Sequence, residues 1–175
     1  MVRGEGGREM AEMSHESKRV VSAACAVVTI SDTRTPVTDR GGPLVVEQLQ
    51  SSGHRVIVHE IVPDDIDRIG QLVEKLCAMN CDVIVLTGGT GIAPRDHAYE
   101  TLFPMLEKRL DGFAELFRSL SFAEIGAAAM LSRALAGTRG KSIIFSLPGS
   151  PNAVRLGMER LILPVLPHAV ALLRT

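Results

Sequence analysis

The chain has 175 residues, of which 46% are hydrophobic and none is tryptophan, and its formal net charge is −1. A chain of this length fits a single domain, and the near-neutral charge without a long basic run argues against a nucleic-acid-binding protein. No continuous apolar run comes close to the roughly 18 residues that a membrane-spanning helix needs, so we expect no membrane association.

The first segment, residues 1–19, carries scattered charges and glycines and lacks the apolar stretch of a secretory signal. We expect a disordered extension there, followed by one domain over residues 20–175. The three cysteines, Cys25, Cys77 and Cys81, include no C-x-x-C pair. This pattern is typical of reduced, buried thiols in a cytoplasmic protein rather than of a metal or redox site.

Strands and helices alternate over the first ninety residues. Apolar runs rich in β-branched residues predict buried strands at residues 23–30, 56–62 and 83–86. One helix is predicted to begin at Pro43 and to end at Gly53, because proline suits a first helical turn and glycine suits a C-terminal cap. Apolar residues at helical spacing predict a second helix over residues 66–79. This order predicts a parallel sheet with crossover helices on both faces.

The second half is less regular. A helix is predicted over residues 97–109, although Pro104 would bend or break it. Another is predicted over residues 113–120, and its apolar positions are Phe113, Leu116 and Phe117. Two apolar runs over residues 134–138 and 142–147 predict a hairpin. A hairpin would place one antiparallel strand in an otherwise parallel sheet.

The last helix has a clear predicted start. Ser150 is a good N-cap, and Pro151 is well placed as the first helical residue. We expect Pro164 and Pro167 to interrupt this helix, because proline lacks the N–H that an α-helical turn needs.

The strand at residues 83–86 runs into a loop with three closely spaced glycines, Thr87-Gly88-Gly89-Thr90-Gly91. Arg95 and Asp96 follow just before a predicted helix. Free backbone amides, a helix start and an arginine together predict an anion site. The carboxylate of Asp96 favours an anion that arrives with a metal ion, as nucleotide phosphates do. The loop lacks a P-loop lysine and the dinucleotide fingerprint, and a purely structural turn is the alternative.

Loops near Ser31, Asp64, Thr87 and Pro148 all follow predicted strands, so parallel strands would bring them to one edge of the sheet. Carboxylates beside phosphate-binding glycine turns are typical of a Mg²⁺-dependent nucleotide site. The candidate site residues are Ser31, Asp32, Asp39, Asp64, Thr87, Gly88, Gly89, Thr90, Gly91, Arg95, Asp96, Pro148, Gly149 and Ser150.

Structural roles are open for several of these residues. Asp64 or Asp65 could cap the helix that follows, and Asp96 could cap the helix after it. Asp32 could close a local turn through its side chain. Arg95 could form a structural ion pair with a nearby carboxylate.

Three motifs in order resemble the MoaB/MogA family of molybdenum cofactor biosynthesis. They are Ile-Ser-Asp-Thr-Arg at 30–34, Thr-Gly-Gly-Thr-Gly-x-x-x-Arg-Asp at 87–96 and Leu-Pro-Gly-Ser-Pro-Asn-Ala at 147–153. Two further runs, at 112–118 and 129–133, are similar to the shorter MoaB branch. The resemblance begins near residue 23 and implies a three-layer α/β/α sandwich with a mostly parallel sheet and one antiparallel strand.

The activity that this resemblance implies is the adenylylation of molybdopterin by ATP, with release of pyrophosphate. Asp64 and Asp96 match the family's two essential aspartates and would hold Mg²⁺ on the transferring phosphates. The glycine loop would bind phosphate, and Pro148, Gly149 and Ser150 would line the pterin side.

The resemblance also implies partners: a molybdenum insertase of the same pathway, and further copies of the chain in a homotrimer or homohexamer. Two other functions are weighed against the enzyme. One is a non-catalytic protein of the same fold that binds molybdopterin or a pathway partner. The more distant one is an unrelated nucleotide-binding α/β protein.

Overall fold

The computed structural model describes residues 22–175, so the expected extension over residues 1–19 lies outside the described residues. The strands are β1 Ala24–Ile30, β2 Arg55–Val62, β3 Val83–Thr87, β4 Lys108–Arg109, β5 Leu135–Arg139 and β6 Ser142–Leu147. The helices are α1 Gly41–Ser51, α2 Ile66–Ala78, α3 Ala98–Leu102, α4 Asp111–Ile125, α5 Pro151–Gly157 and α6 Leu163–Arg174.

The strands form one six-stranded sheet in the order β2-β1-β3-β6-β5-β4. Strands β1, β2, β3 and β6 are parallel, and β5 runs antiparallel to β6. Thr29 pairs with Thr87, and Thr87 pairs with Leu147, so the carboxyl ends of these strands lie level with one another. The predicted mostly parallel sheet with one antiparallel strand is confirmed.

Helices cover both faces of the sheet, as the β-α-β-α-β order predicts. In β3, Val83 and Val85 pack into a core with α1, α4, α5 and α6. The alternating residues Ile84 and Leu86 pack into a second core with α2 and α3. Because both faces are covered, the strand is apolar at every position from Val83 to Leu86, which gives the continuous apolar run in the sequence.

The first helix begins two residues earlier than predicted, at Gly41 rather than at Pro43. The carboxylate of Asp39 accepts hydrogen bonds from the N–H groups of Gly41 and Gly42, at 3.1 and 3.2 Å. These bonds satisfy amides that an N-terminal turn leaves free, so they move the helix start towards Asp39. Gly53 ends the helix with φ 84°, as predicted.

The prediction of one helix over residues 97–109 is wrong beyond Leu102. A short 3-10 helix, Phe103–Met105, follows α3, because Pro104 cannot donate the backbone bond of an α-helical turn. Lys108 and Arg109 then pair with β5 and extend the sheet edge. Leu116 was expected on the apolar side of α4, yet it is 57% exposed.

The prolines do not end the C-terminal helix as expected. A π-helical segment, Met158–Ile162, leads directly into α6, which continues through Pro167 to Arg174. The wider turn accommodates the missing N–H of Pro164, and buried Ile162, Leu166 and Val170 hold the helix on the sheet.

This continuity corrects the expectation that no stretch could cross a membrane. The helical stretch Pro151–Arg174 has 24 residues and is long and apolar enough for a membrane span by length and composition. Its residues nevertheless supply much of the core on one face of the sheet. The core helix of a globular domain can meet the same criterion of length and composition.

Candidate functional site

Loops from four parallel strands meet at the carboxyl edge of the sheet. The N–H of Ser31, after β1, donates to the carbonyl of Val62 at the end of β2, at 2.9 Å. The N–H of Gly88, after β3, donates to the carbonyl of Leu147 at the end of β6, also at 2.9 Å. The structure therefore brings the predicted site loops together along one edge.

The glycine loop needs glycine for its own geometry. Gly88 has φ 99° and Gly89 has φ 65°, a region that other L-residues rarely adopt. A Cβ on Gly88 would collide with the carbonyl oxygen of Ile30. A Cβ on Gly89 would lie 2.7 Å from Oδ2 of Asp64. The loop backbone thus passes directly over the carboxylate of Asp64.

Asp64 follows β2 and contacts residues that follow β1 and β3. Its Oδ1 accepts the His97 N–H at 2.9 Å, and its own N–H donates to Oδ1 of Asp32 at 3.0 Å. Burial raises the pKa of Asp64, and the nearby charges of Asp96 and Asp32 add to the rise, although the His97 N–H opposes it. A carboxylate that burial and like charge destabilise in this way is one that a bound cation would stabilise.

The helix-cap alternative for Asp64 is wrong, because Asp65 caps α2. Its Oδ1 accepts the N–H of Arg68 at 2.9 Å. Asp96 does not cap α3 either: its Oδ2 accepts the N–H of Ala93 at 2.8 Å and closes the loop before the helix. Within residues 22–175, Asp64 Oδ2 and Asp96 Oδ1 have no protein donor and are free for another ligand.

The donor set fits magnesium only together with a substrate. Among the described residues, no group of three or more His, Cys, Asp or Glu side chains could hold a metal ion alone. Mg²⁺ commonly binds through one or two carboxylates plus phosphate oxygens and water. The free oxygens of Asp64 and Asp96 beside a loop of backbone amides therefore suit a Mg²⁺ ion that arrives with phosphates.

A cavity of about 470 Å³ lies on the β1 and β6 side of the glycine loop. Residues from three of the loops line it, among them Ser31, Arg34, Gly88, Gly149 and Ser150. The Thr87 hydroxyl is fully buried there and has no partner within the described chain. A second opening, of about 750 Å³, shares Ser31 and Arg34. The edge thus offers room for an extended ligand.

Other predicted site residues have structural duties. Asp39 is buried, and its Oδ2 accepts the Thr29 hydroxyl at 2.6 Å while Oδ1 holds the start of α1. Asp39 therefore anchors α1 beside the site. Asp32 orients the Asp64 loop. Ser150 caps α5, accepting the Ala153 N–H at 3.3 Å, as predicted. Arg95 is exposed and forms no ion pair with another described residue, which removes its structural alternative.

Comparison with known proteins identifies the family of the chain. The family model described as "Probable molybdopterin binding domain" matches residues 26–168. The chain belongs to this family. The chain is 47% identical over 161 residues to molybdenum cofactor biosynthesis protein B of Bacillus cereus, covering 91% of this chain and 95% of that protein. It is 42% identical over 167 residues to the Bacillus subtilis protein, covering 94% and 98%.

Solved structures agree. A crystal structure of molybdenum cofactor biosynthesis protein B matches this chain with a TM-score of 0.86 and 46% identity, covering 90% of this chain and 99% of that one. The tungsten cofactor synthesizing protein MoaB from Pyrococcus furiosus matches with a TM-score of 0.75 and 37% identity, covering 86% and 98%. The expected fold and family are confirmed, and the chain is a molybdenum cofactor biosynthesis protein.

Two residues at this edge, His59 and Arg133, were not singled out in the sequence analysis. The Nε2 atom of His59 on β2 lies 3.9 Å from Oδ2 of Asp39. In the sequence, the only indication of His59 was that a polar residue interrupts an apolar strand. Arg133 contacts the carbonyls of Gly91 and Asp96. In the sequence, Arg133 belongs to the run at 129–133, which is similar to the MoaB branch but was given no role.

Proposed function

We propose that this protein transfers the adenylyl group of ATP to molybdopterin in a Mg²⁺-dependent reaction. One observation carries the proposal. Asp64 and Asp96 each present a free carboxylate oxygen beside the glycine loop, at the carboxyl edge where parallel α/β sheets bind ligands. A protein that only bound a pterin would have no need for two electrostatically coupled carboxylates beside a phosphate-binding loop.

In this reaction the terminal phosphate of molybdopterin attacks the α-phosphate of ATP, and pyrophosphate leaves. Asp64 and Asp96 would hold the metal, which supplies positive charge that neutralises the transferring phosphates. The backbone amides of the glycine loop would bind phosphate oxygens. Catalysis of this kind depends on positioning and charge neutralisation, so it needs no covalent residue.

The cavity beside the loop supports a pterin position. Gly149, Ser150 and Pro151 line it, whereas Pro148, which precedes them on the same turn, does not. Arg34 is exposed at the mouth shared by both openings, where it would attract an anionic group. The proposed partners are ATP, molybdopterin, the molybdenum insertase that would receive the product, and further copies of the chain.

The decisive experiment is incubation of the protein with molybdopterin, Mg²⁺ and ATP labelled at the α-phosphate. We expect labelled adenylyl-molybdopterin and free pyrophosphate, and no product when the metal is chelated. An established enzyme of the family, run in parallel, shows that the pterin is intact. If that enzyme forms product and this protein binds molybdopterin without turnover, the non-catalytic binding protein is the correct assignment.

A further inference from the structure

Arg133 makes an unusual set of contacts with the glycine loop. Its Nε donates to the carbonyl of Gly91 at 2.8 Å, and its Nη2 donates to the carbonyl of Asp96 at 3.2 Å. Its backbone N–H donates to the carbonyl of Thr90 at 3.0 Å. One residue outside the loop thereby fixes three of its carbonyls.

The guanidinium is itself held from the other side. Nη1 and Nη2 both bond to the carboxylate of Glu100 on α3. The guanidinium carbon, Cζ, lies over the ring of Tyr99, 5.3 Å from the ring centroid. A planar fork with five N–H donors can satisfy carbonyls and a carboxylate at once, which the single ammonium of lysine cannot do.

The loop has few bonds of its own between these carbonyls. Asp96 and Ala93 exchange two hydrogen bonds, one through the Asp96 carboxylate. Ile92 points outward and is 67% exposed, so packing contributes little there. The position of Asp96 relative to Asp64 therefore depends on Arg133 together with the hydrogen bond from the His97 N–H to Asp64.

We infer that Arg133 is a positioning residue: it fixes the glycine loop so that the carboxylate of Asp96 stays beside that of Asp64. The inference rests on the proposed function for what the aligned carboxylates do, namely bind the Mg²⁺ that accompanies a nucleotide phosphate. Arg133 touches no reacting atom in this scheme.

The chain offers a matched control in Arg139. Its Nε and Nη2 bond to the carboxylate of Glu74, and its Nη1 donates to the carbonyl of Met105 at 2.9 Å. The side chains of Arg139 and Arg133 are 30% and 26% exposed. The two arginines make the same kinds of bond at similar exposure, but only Arg133 contacts the glycine loop.

Arg133→Lys and Arg139→Lys should be compared in the full chain by amide hydrogen exchange. Exchange over residues 89–97 should become about tenfold faster in Arg133→Lys, the effect of losing one charge-assisted hydrogen bond. Exchange in β3 and β6 should match the parent, which shows that the variant is folded. Arg139→Lys should leave the loop unchanged. Unchanged loop exchange in Arg133→Lys, or equal acceleration in both variants, would overturn the inference.

A second measurement separates positioning from stability. The Mg²⁺ concentration for half-maximal adenylyl transfer should rise about tenfold in Arg133→Lys and stay at the parent value in Arg139→Lys, whatever either variant loses in melting temperature. Arg133→Gln, which also removes the charge, should shift further. A parent-like Mg²⁺ dependence in Arg133→Lys counts against the inference. If the parent transfers no adenylyl group, the proposed function fails, while the exchange comparison still decides the role of Arg133.

Discussion

Asp64 and Asp65 are neighbours in sequence with separate tasks. Asp65 caps α2 through the N–H of Arg68, whereas Asp64 faces the site and contacts the N–H of His97. Sequence reasoning could not divide the two roles, since either carboxylate can cap a helix. The division gives a matched pair of positions for testing the proposed metal site.

We expect Asp64→Asn and Asp96→Asn each to lower adenylyl transfer by roughly two orders of magnitude, the usual effect of losing one preorganised electrostatic group. Asp65→Asn should stay near the parent rate, because asparagine caps helices almost as well as aspartate. Rates should be measured over a Mg²⁺ titration. Molybdopterin binding without ATP should persist in all three variants. Near-parent rates in both Asp64→Asn and Asp96→Asn would remove the metal site.

Gly89 connects backbone geometry with the site, and Gly140 serves as its control. Both have positive φ, 65° and 55°, but a Cβ on Gly140 meets no atom within 4 Å. A Cβ on Gly89 meets the Asp64 carboxylate and lies 3.1 Å from the Cβ of Ala98. A side chain at Gly89 therefore displaces protein atoms of the candidate site.

Gly140→Ala should lower the free energy of unfolding by about 1 to 2 kcal/mol, the cost of a left-handed conformation for an L-residue. Gly89→Ala should lower it further, because its Cβ also displaces the Asp64 carboxylate. Only Gly89→Ala should also reduce adenylyl transfer, because Asp64 must move. Chemical denaturation and the labelled-ATP assay measure the two effects. Full activity in a folded Gly89→Ala variant would show that the loop tolerates this contact.

At the scale of elements, the C-terminal helix is tied to the start of β3. Arg174 donates to both oxygens of Asp82, at 3.1 and 2.7 Å, and to the carbonyl of Ser22 at 3.2 Å. Burial alone would raise the pKa of Asp82, but the hydrogen bonds from Arg174 and from the Ala24 N–H hold it below its usual value. The two ends of the described chain are thereby joined.

Arg174→Gln should destabilise the protein by about 1 kcal/mol at neutral pH, since the lost bonds are charge-assisted but partly exposed to solvent. A carboxylate whose pKa is lower in the folded state stabilises the fold fully at pH values above its pKa in the unfolded state. This stabilisation is lost as the pH falls through its pKa in the folded state. The difference in stability from the parent should therefore shrink below about pH 4. Arg109→Gln, which breaks an exposed pair with Asp111, should change little at any pH. A pH-independent loss in Arg174→Gln would point to packing instead.

At the scale of the whole molecule, an apolar surface lies at the end of α4 and in the 3-10 segment Gly126–Leu131 that follows. Its exposed side chains are Phe122, Ile125, Met130 and Leu131, at 63%, 61%, 73% and 49%. Contiguous exposed apolar residues of this kind are typical of protein–protein contacts. We expect copies of the chain to contact one another through this surface in the homotrimer or homohexamer.

Sedimentation equilibrium should show an oligomer at micromolar concentration, and Phe122→Glu should shift it towards monomer by burying a charge in the contact. Val165→Glu is the control, because Val165 on α6 is 49% exposed and lies outside this surface. A stable monomer in the parent would contradict the oligomer. Dissociation by Val165→Glu alone would place the contact on α6.

The sequence by itself determined the alternation of strands and helices, the parallel core strands and the glycine loop. These features depend on local properties: apolar periodicity records which faces are buried, and glycines mark positive φ. The tertiary structure alone decided which partner each polar side chain meets. Arg133 reaches Gly91 across 42 positions, and Arg174 reaches Asp82 across 92. It also decided that β4 pairs with the sheet edge and that the last helix continues through its prolines. Such outcomes depend on atoms brought close only by folding, so no local pattern in the chain records them.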